Sequence, residues 1–292
     1  MTIAVVIPSY NGGRYLEHSI LSALNQQRRP DEIIVSDDNS TDDTLAICRR
    51  YQPHITVYRN SGGPSGFVNA WNTAIGKAKS DYISILHQDD LLAPEFIRMA
   101  AAALESNPAV RHLFSTCRYI DEGGRTLSLS YPCDTSASGL VVKLSGLEYV
   151  KAYQEQGYPH IHRCPGVITH RSIFETCRYA PEAGHIADDD FFYRVGQYTS
   201  VIGILQPMAA FRLHSGSVTG RMEDAALVRQ LMEDYLYQCR QWKDNDFLDK
   251  AAYGYFMRNA SRYIRRWVGY GLRRGDMRMV LKGFRNWGEL YG

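Results

Sequence analysis

The first 105 residues alternate short β-branched runs with amphipathic stretches, and this alternation leaves few architectures open. Residues 3–7 are apolar and end at Pro8, after which residues 14–27 set Leu16, Ile20, Ala23 and Leu24 on one helical face. The unit recurs as 32–35 before 41–51, 55–58 before 66–78, and 82–86 before 94–105. Four such units predict an α/β fold built on a mostly parallel, doubly wound sheet. Ligands of such sheets bind beyond the carboxyl ends of the strands, which singles out the loops after Ile7, Val35, Tyr58 and Leu86.

Those loops are polar. Pro8-Ser9-Tyr10-Asn11-Gly12-Gly13 lacks the G-x-G-x-x-G spacing that brings a pyrophosphate to a helix N-terminus, so a nicotinamide or flavin site is disfavoured. Ser36-Asp37-Asp38-Asn39-Ser40-Thr41-Asp42-Asp43 offers Asp42 or Thr41 as a helix cap and sets Asp38 at a strand end. Capping alone accounts for most acidic loops. Adjacent carboxylates are different: Asp89 and Asp90, in His87-Gln88-Asp89-Asp90, repel one another unless a cation or donor group offsets them.

Charge and composition exclude other classes. With 33 Lys and Arg against 31 Asp and Glu, the formal net charge is +2, which argues against nucleic acid as a partner. No apolar run reaches the roughly 18 to 20 residues of a membrane span, and the N-terminus lacks a basic, then apolar, secretory signal, so a cytoplasmic protein is expected. Six cysteines without a C-x-x-C pair read as reduced thiols.

In this context the motifs resemble the inverting glycosyltransferases of family 2, which have the GT-A fold. Pro8-Ser9-Tyr10-Asn11 is similar to the family's opening segment, and Val35-Ser36-Asp37-Asp38-Asn39-Ser40-Thr41-Asp42 to its Val-x-Asp-Asp-Gly-Ser-x-Asp, with Asn39 in place of Gly. Residues 60–83 resemble the approach to the D-x-D strand, and His87-Gln88-Asp89-Asp90 before Pro94 resembles the D-x-D element itself. Two departures stand out: His87 occupies the first acidic position, and Trp71 stands where many relatives carry Arg before Asn72.

The resemblance implies a nucleoside-diphosphate sugar donor held by Pro8, Ser9, Tyr10, Asp38, Asn72 and Asp89. It also implies Mn2+ or Mg2+ held by Asp90 first, with Asp89 and His214 beside it. A cation held by carboxylates would neutralise the departing diphosphate.

After residue 105 the alternation stops. Residues 110–120 and 126–131 predict a hairpin around Asp121-Glu122-Gly123-Gly124-Arg125, followed by a polar stretch 132–140 and a helix near 144–156. Ala187-Asp188-Asp189-Asp190 resembles the family's Glu-Asp-x-Asp element, with Ala187 in the Glu position, and so implies Asp188 as the base that deprotonates the acceptor hydroxyl. Helix capping alone would account for Asp189 and Asp190. Phe211-Arg212-Leu213-His214 resembles the late Tyr-Arg-x-His segment, the source of the His214 expectation.

The expected organisation is a GT-A domain over 1–218, split into a nucleotide-binding half 1–105 and an acceptor half 106–218, with a basic amphipathic helical region over 219–292. Residues 258–292 hold nine Lys and Arg against two acidic residues, a net +7, which leaves 24 basic and 29 acidic residues, a net −5, in the rest. Phe256, Ala260, Tyr263 and Trp267 share one helical face, and Met277, Val280, Leu281 and Phe284 another, behind an Asp276 cap. Either these faces dock on the protein, or 258–287 meets the anionic inner face of a membrane, where lipid-linked acceptors reside.

The function expected from the resemblance is an inverting, metal-dependent transfer to a hydroxyl of a glycan or lipid-linked glycan, as in bacterial polysaccharide, O-antigen or capsule assembly. The alternatives are a non-catalytic nucleotide-sugar-binding module, or a sugar nucleotidyltransferase, which would need a Gly-rich loop with Arg after the first strand.

Overall fold

The computed structural model describes residues 1–128, 141–155, 162–217 and 224–291. The described chain forms two compact units, one of 1–179 with 194–213 and one of 180–193 with 214–292. The boundary expected at 218 falls outside the described residues. Segment 180–193 groups with the C-terminal helices, a long-range association that local patterning does not signal.

The first unit is an α/β sheet. Strands β1 (Ile3–Ser9), β2 (Glu32–Asp37), β3 (Thr56–Arg59) and β4 (Tyr82–Ile85) are separated by helices α1 (Leu16–Leu24), α2 (Thr44–Tyr51) and α3 (Phe67–Lys77). All pairings among them are parallel, in the order β3-β2-β1-β4. Every residue of β1 is buried, as a strand covered on both faces requires. Ile3, Val5, Ile7, Ile33, Leu16 and Ile20 join one apolar core. Because β2 and β3 lie on one side of β1 and β4 on the other, the order reverses between β1 and β4, and a crevice opens at their carboxyl ends.

The rest of the sheet is mixed. A two-residue strand β5 (Leu91–Leu92) precedes α4 (Phe96–Glu105), and β6 (His112–Ile120), β7 (Val141–Leu144), α5 (Gly146–Glu155), β8 (Val167–His170), α6 (Arg171–Thr176) and β9 (Val201–Arg212) follow. The order continues β4-β8-β6-β9-β5, with β7 also on β9; β6 and β9 are parallel, and the other new pairings antiparallel. Of the expected hairpin, the described part is a turn closed by the Asp121 amide on the Arg125 carbonyl and the Leu127 amide on the Tyr119 carbonyl. Asp121 accepts from the Gly123 and Arg125 amides, and one bridge joins Ile120 to Thr126, while 129–131 lie outside the described residues. β6 takes its long partners from β8 and β9, where its apolar residues are buried on both faces.

A buried polar group sits in this second half. His112 Nδ1 is 2.8 Å from Thr169 Oγ1, and Tyr149 Oη is 2.8 Å from His162 Nε2 and 3.4 Å from His112 Nε2. Burial pushes the His112 imidazole down to about 3. An unfolded histidine takes up its proton near pH 6.5, so stability is fully present above that pH and is lost as pH falls from there toward 3. We expect this group to remove about 2 kcal/mol of unfolding free energy between pH 7 and pH 5. Urea unfolding across that range should show a shallower pH slope for His112→Gln than for the wild type; equal slopes would refute the assignment.

Candidate functional site

The crevice between β1 and β4 collects the acidic and polar loops. Ser9 Oγ donates to Gln88 Oε1 at 2.8 Å, the Tyr10 amide donates to the same oxygen at 2.9 Å, and Gln88 Nε2 donates to the Tyr10 carbonyl at 3.1 Å. The side chain of Gln88 thus fastens the first and fourth loops together, a role that no sequence signal announced. Pro8 is buried in β1, and the Tyr10 ring stays exposed at the mouth.

Backbone strain fits the residue types. Asn39, in the position where the family pattern has Gly, adopts φ 68°, and Asn11 adopts φ 47°. Asn is among the few side chains that visit this left-handed region readily, which explains how Asn39 replaces Gly. The two loops are cross-tied, as the Asn11 amide donates to Ser40 Oγ and the Thr41 amide to Asn11 Oδ1, both at 2.9 Å.

Asp38 is buried at the end of β2, where it accepts from Asn60 Nδ2 (2.7 Å), the Ser65 amide (2.7 Å) and Ser65 Oγ (3.0 Å). Ser65 Oγ also lies 3.1 Å from the other carboxylate oxygen, so Asn60 and Ser65 fix the orientation of this side chain. Asn72, expected among the donor contacts, is engaged elsewhere. Its Nδ2 donates to the Tyr179 carbonyl at 2.8 Å and its Oδ1 accepts from the Tyr179 amide at 3.2 Å, so its whole amide closes on one backbone residue.

The two adjacent carboxylates have different surroundings. Asp90 is 1% exposed, and its Oδ1 accepts from the Arg212 amide at 2.8 Å. Its Oδ2 has no hydrogen-bond partner and lies 3.8 Å from His87 Nδ1. Burial raises the Asp90 carboxyl well above the usual carboxylate range, the Asp89 charge adds to that, and the Arg212 amide opposes it. Asp89 is half-buried, the more accessible of the two. Asp90, expected as the first metal ligand, is the more buried of the two and directly precedes β5, whose Leu91 pairs with Ala210 of β9.

Arg212 holds this arrangement from the other side. Its Nε donates to the Asp89 carbonyl at 2.7 Å, its guanidinium reaches the Asp121 and Glu122 carbonyls at 3.1 and 3.2 Å, and the Tyr15 ring lies 4.7 Å beneath it. The motif Phe211-Arg212-Leu213-His214 points to His214, while the buried cation it supplies is Arg212. His214 itself is partly buried in the second unit.

Two of the departures from the family pattern touch one another. The Trp71 and His87 rings stack with centroids 4.7 Å apart at 24°, and Tyr179 meets Trp71 edge-on at 5.3 Å. Burial pushes the His87 imidazole down, against the raising effect of Asp89, which favours its neutral form.

In the second unit, a 3-10 turn (Pro181–Ile186) leads into α7 (Ala187–Val195). Gly184 adopts φ 55°, and a Cβ there would collide with the Asp234 carboxylate. Asp234, buried on α8 (Ala225–Trp242), accepts from the His185 amide and from Gln230 Nε2, both at 2.9 Å. That fixes the turn three residues before Asp188. Of the three acidic residues opening α7, Asp189 and Asp190 are buried, and Asp188 alone is half-buried. Burial raises the Tyr193 and Tyr255 hydroxyls, and the nearby Asp189 charge adds to that.

Residues 4–175 match the model of "Glycosyl transferase family 2". The chain belongs to that family. Over 130 residues it is 33% identical to the chondroitin synthase of Escherichia coli, covering 44% of this chain and 19% of that protein. Over 133 residues it is 30% identical to the GalNAc(5)-diNAcBac-PP-undecaprenol beta-1,3-glucosyltransferase of Campylobacter jejuni, covering 44% and 42%. The chain therefore spans under half the length of these relatives. The fold is that of Staphylococcus aureus TarS 1-349 in its complex with UDP-GlcNAc, with TM-score 0.60 at 15% identity over 99% of this chain and 92% of that one. The GT-A fold read from the motifs is thus established, with the C-terminal helices included in the match.

Replacing Arg212 by Met keeps the aliphatic stem but removes the guanidinium bonds to the Asp89, Asp121 and Glu122 carbonyls. We expect Arg212→Met to cost about 3 kcal/mol in a denaturant titration, as breaking a buried charge cluster does. A loss below about 0.5 kcal/mol, within the range of ordinary surface substitutions, would show that Arg212 is not the buttress described.

Proposed function

We propose that this chain transfers a sugar from a nucleoside-diphosphate donor to a hydroxyl of a glycan or lipid-linked glycan, with inversion at the anomeric carbon. The observation that carries the reading is the half-buried carboxylate Asp89 at the strand-order reversal, on the loop that Gln88 ties to Ser9 and Tyr10, in a family 2 chain. The names of the relatives support the reaction class. The Campylobacter jejuni protein is named for a PP-undecaprenol-linked substrate, and TarS binds UDP-GlcNAc.

In this reading Asp38 accepts from the base and Tyr10 covers it. Asp89 is the foremost metal ligand, with Asp90 behind it. The donor set suits Mg2+ or Mn2+: both carboxylates offer hard oxygen, and Asp90 Oδ2 is buried and unpartnered by protein. Among the described residues no three His, Cys, Asp or Glu side chains form a ligand group. A cation that keeps waters and substrate phosphates as ligands needs only one or two carboxylates. When bound, the ion would offset the charge developing on the leaving diphosphate.

Asp188 is the base. It takes the acceptor hydroxyl's proton as that oxygen bonds to the anomeric carbon, while the bond from that carbon to the diphosphate breaks and the nucleoside diphosphate leaves. One displacement with no enzyme nucleophile inverts the centre. The reading also includes peripheral attachment of 258–287 to an anionic membrane face, where a lipid-linked acceptor would be presented. Among the described residues, no helix is long and apolar enough to cross a membrane.

A panel of sugar nucleotides with Mn2+ and a glycan acceptor tests the reaction. Asp188→Asn should lower kcat by about 10²- to 10⁴-fold with donor binding retained, and Asp89→Asn should weaken metal-dependent donor binding. Anomeric coupling constants of the product report the stereochemistry. Full transfer by Asp188→Asn, or a product of retained configuration, would overturn the assignment, and donor binding without turnover in the wild type would favour the non-catalytic module.

A further inference from the structure

Two long helices, α9 (Lys250–Arg274) and α10 (Met277–Tyr291), end the described chain. The apolar face of α9 is spent internally. Phe256, Ala260, Tyr263 and Trp267 are all buried, with Tyr263 stacked on Tyr235 of α8 at 5.2 Å and Phe256 against Tyr193 at 4.9 Å. The helices turn back at Gly275, at φ 66°, and Asp276 caps α10 by accepting from the Arg278 and Met279 amides. Their approach is close, since a Cβ at Gly283 would collide with Val268.

α10 divides its surface differently. Val280, Gly283 and Asn286 are buried against the protein. Met277, Leu281 and Phe284, one helical face at i, i+4 and i+7, are 58%, 64% and 62% exposed, and Leu272 at the end of α9 is 61% exposed. Exposed large apolar side chains that line up on one face mark an interaction site more than scattered ones do. A second row borders this stripe: Arg278, Lys282 and Arg285, with Arg273 and Arg274 just before the turn. Lys282 pairs with Glu233 at 2.6 Å. Arg274, Arg278 and Arg285 have no carboxylate partner among the described residues.

We propose that the Met277-Leu281-Phe284 face of α10, with Leu272, inserts in the plane of an anionic lipid bilayer while Arg274, Arg278 and Arg285 meet the lipid phosphates. This rests on the membrane part of the function proposed above, and it names the surface. An apolar stripe beside uncompensated arginines fits a surface that is apolar beneath and negative at its rim, because apolar burial and charge attraction then act at once. A second copy of this chain would bring like charges together around the same stripe.

Flotation of the purified chain with vesicles of 70% phosphatidylcholine and 30% phosphatidylglycerol tests this, against vesicles of phosphatidylcholine alone. The wild type should float with the anionic vesicles and be released by raising salt. Leu281→Ser with Phe284→Ser should reduce the bound fraction roughly tenfold or more, since two exposed apolar side chains lose their burial in the bilayer. Arg278→Gln with Arg285→Gln should reduce it on anionic vesicles only. All four side chains are exposed, so unchanged thermal unfolding would confirm that both variants fold, and transfer to a water-soluble acceptor should be unaffected. Failure of the wild type to float, flotation of the Leu281→Ser, Phe284→Ser variant like wild type, or a wild-type dimer that this variant converts to monomer without any flotation would overturn the proposal. Loss of transfer to the soluble acceptor in the wild type would instead refute the enzymatic reading.

Discussion

The site depends on a buried electrostatic knot at the end of β9. Asp90 is taken almost entirely out of water, a burial that costs several kcal/mol for an unpaired charge. The Arg212 amide offsets part of that cost by donating to Asp90, and its guanidinium ties the Asp89 carbonyl to the 121–122 turn. The pairing of β5 with β9 makes this geometry possible, because it brings residues more than 120 positions apart into contact. With Asp90 held inside, Asp89, in the turn before β5, stays half-buried. One acid is thus a strut and its neighbour the more accessible carboxylate.

The same loop is held from the β1 side by Gln88 and from α3 by Trp71, which stacks on His87. His87 and Trp71 are two of the places where this chain leaves the family pattern, and they pack on each other. Here an imidazole whose neutral form burial favours lies on an indole, two planar groups whose contact does not rely on charge. Asn72 next to Trp71 closes on the Tyr179 backbone, and Tyr179 in turn meets Trp71, so the wall at this point is aromatic and internally bonded.

In the second unit the polar device is again one buried carboxylate. Asp234 organises the turn before α7 and needs Gly184 in a left-handed conformation to come so close. Two of the three acids that open α7 are then directed inward, Asp189 toward tyrosines, and Asp188 is left partly open to solvent. Three consecutive aspartates that look interchangeable in the sequence acquire separate environments because a helix turns its side chains by about 100° per residue.

The alternation of the first 105 residues sufficed to place β1 to β4 and α1 to α4 within a few positions, because burial of a strand between helices dictates periodicity locally. The motifs likewise marked the loops that carry Ser9, Tyr10, Asp38 and Asp89. What local pattern does not contain is partner choice. That β6 takes its long partners from β8 and β9, that Asp90 and not Asp89 is buried, that Asn72 serves Tyr179, and that Val280 is covered while Leu281 is not, all depend on contacts between distant segments. The spacing of apolar residues along a helix tells which of them seek cover, and only tertiary packing decides which find it, because the area available on the neighbouring helix is finite.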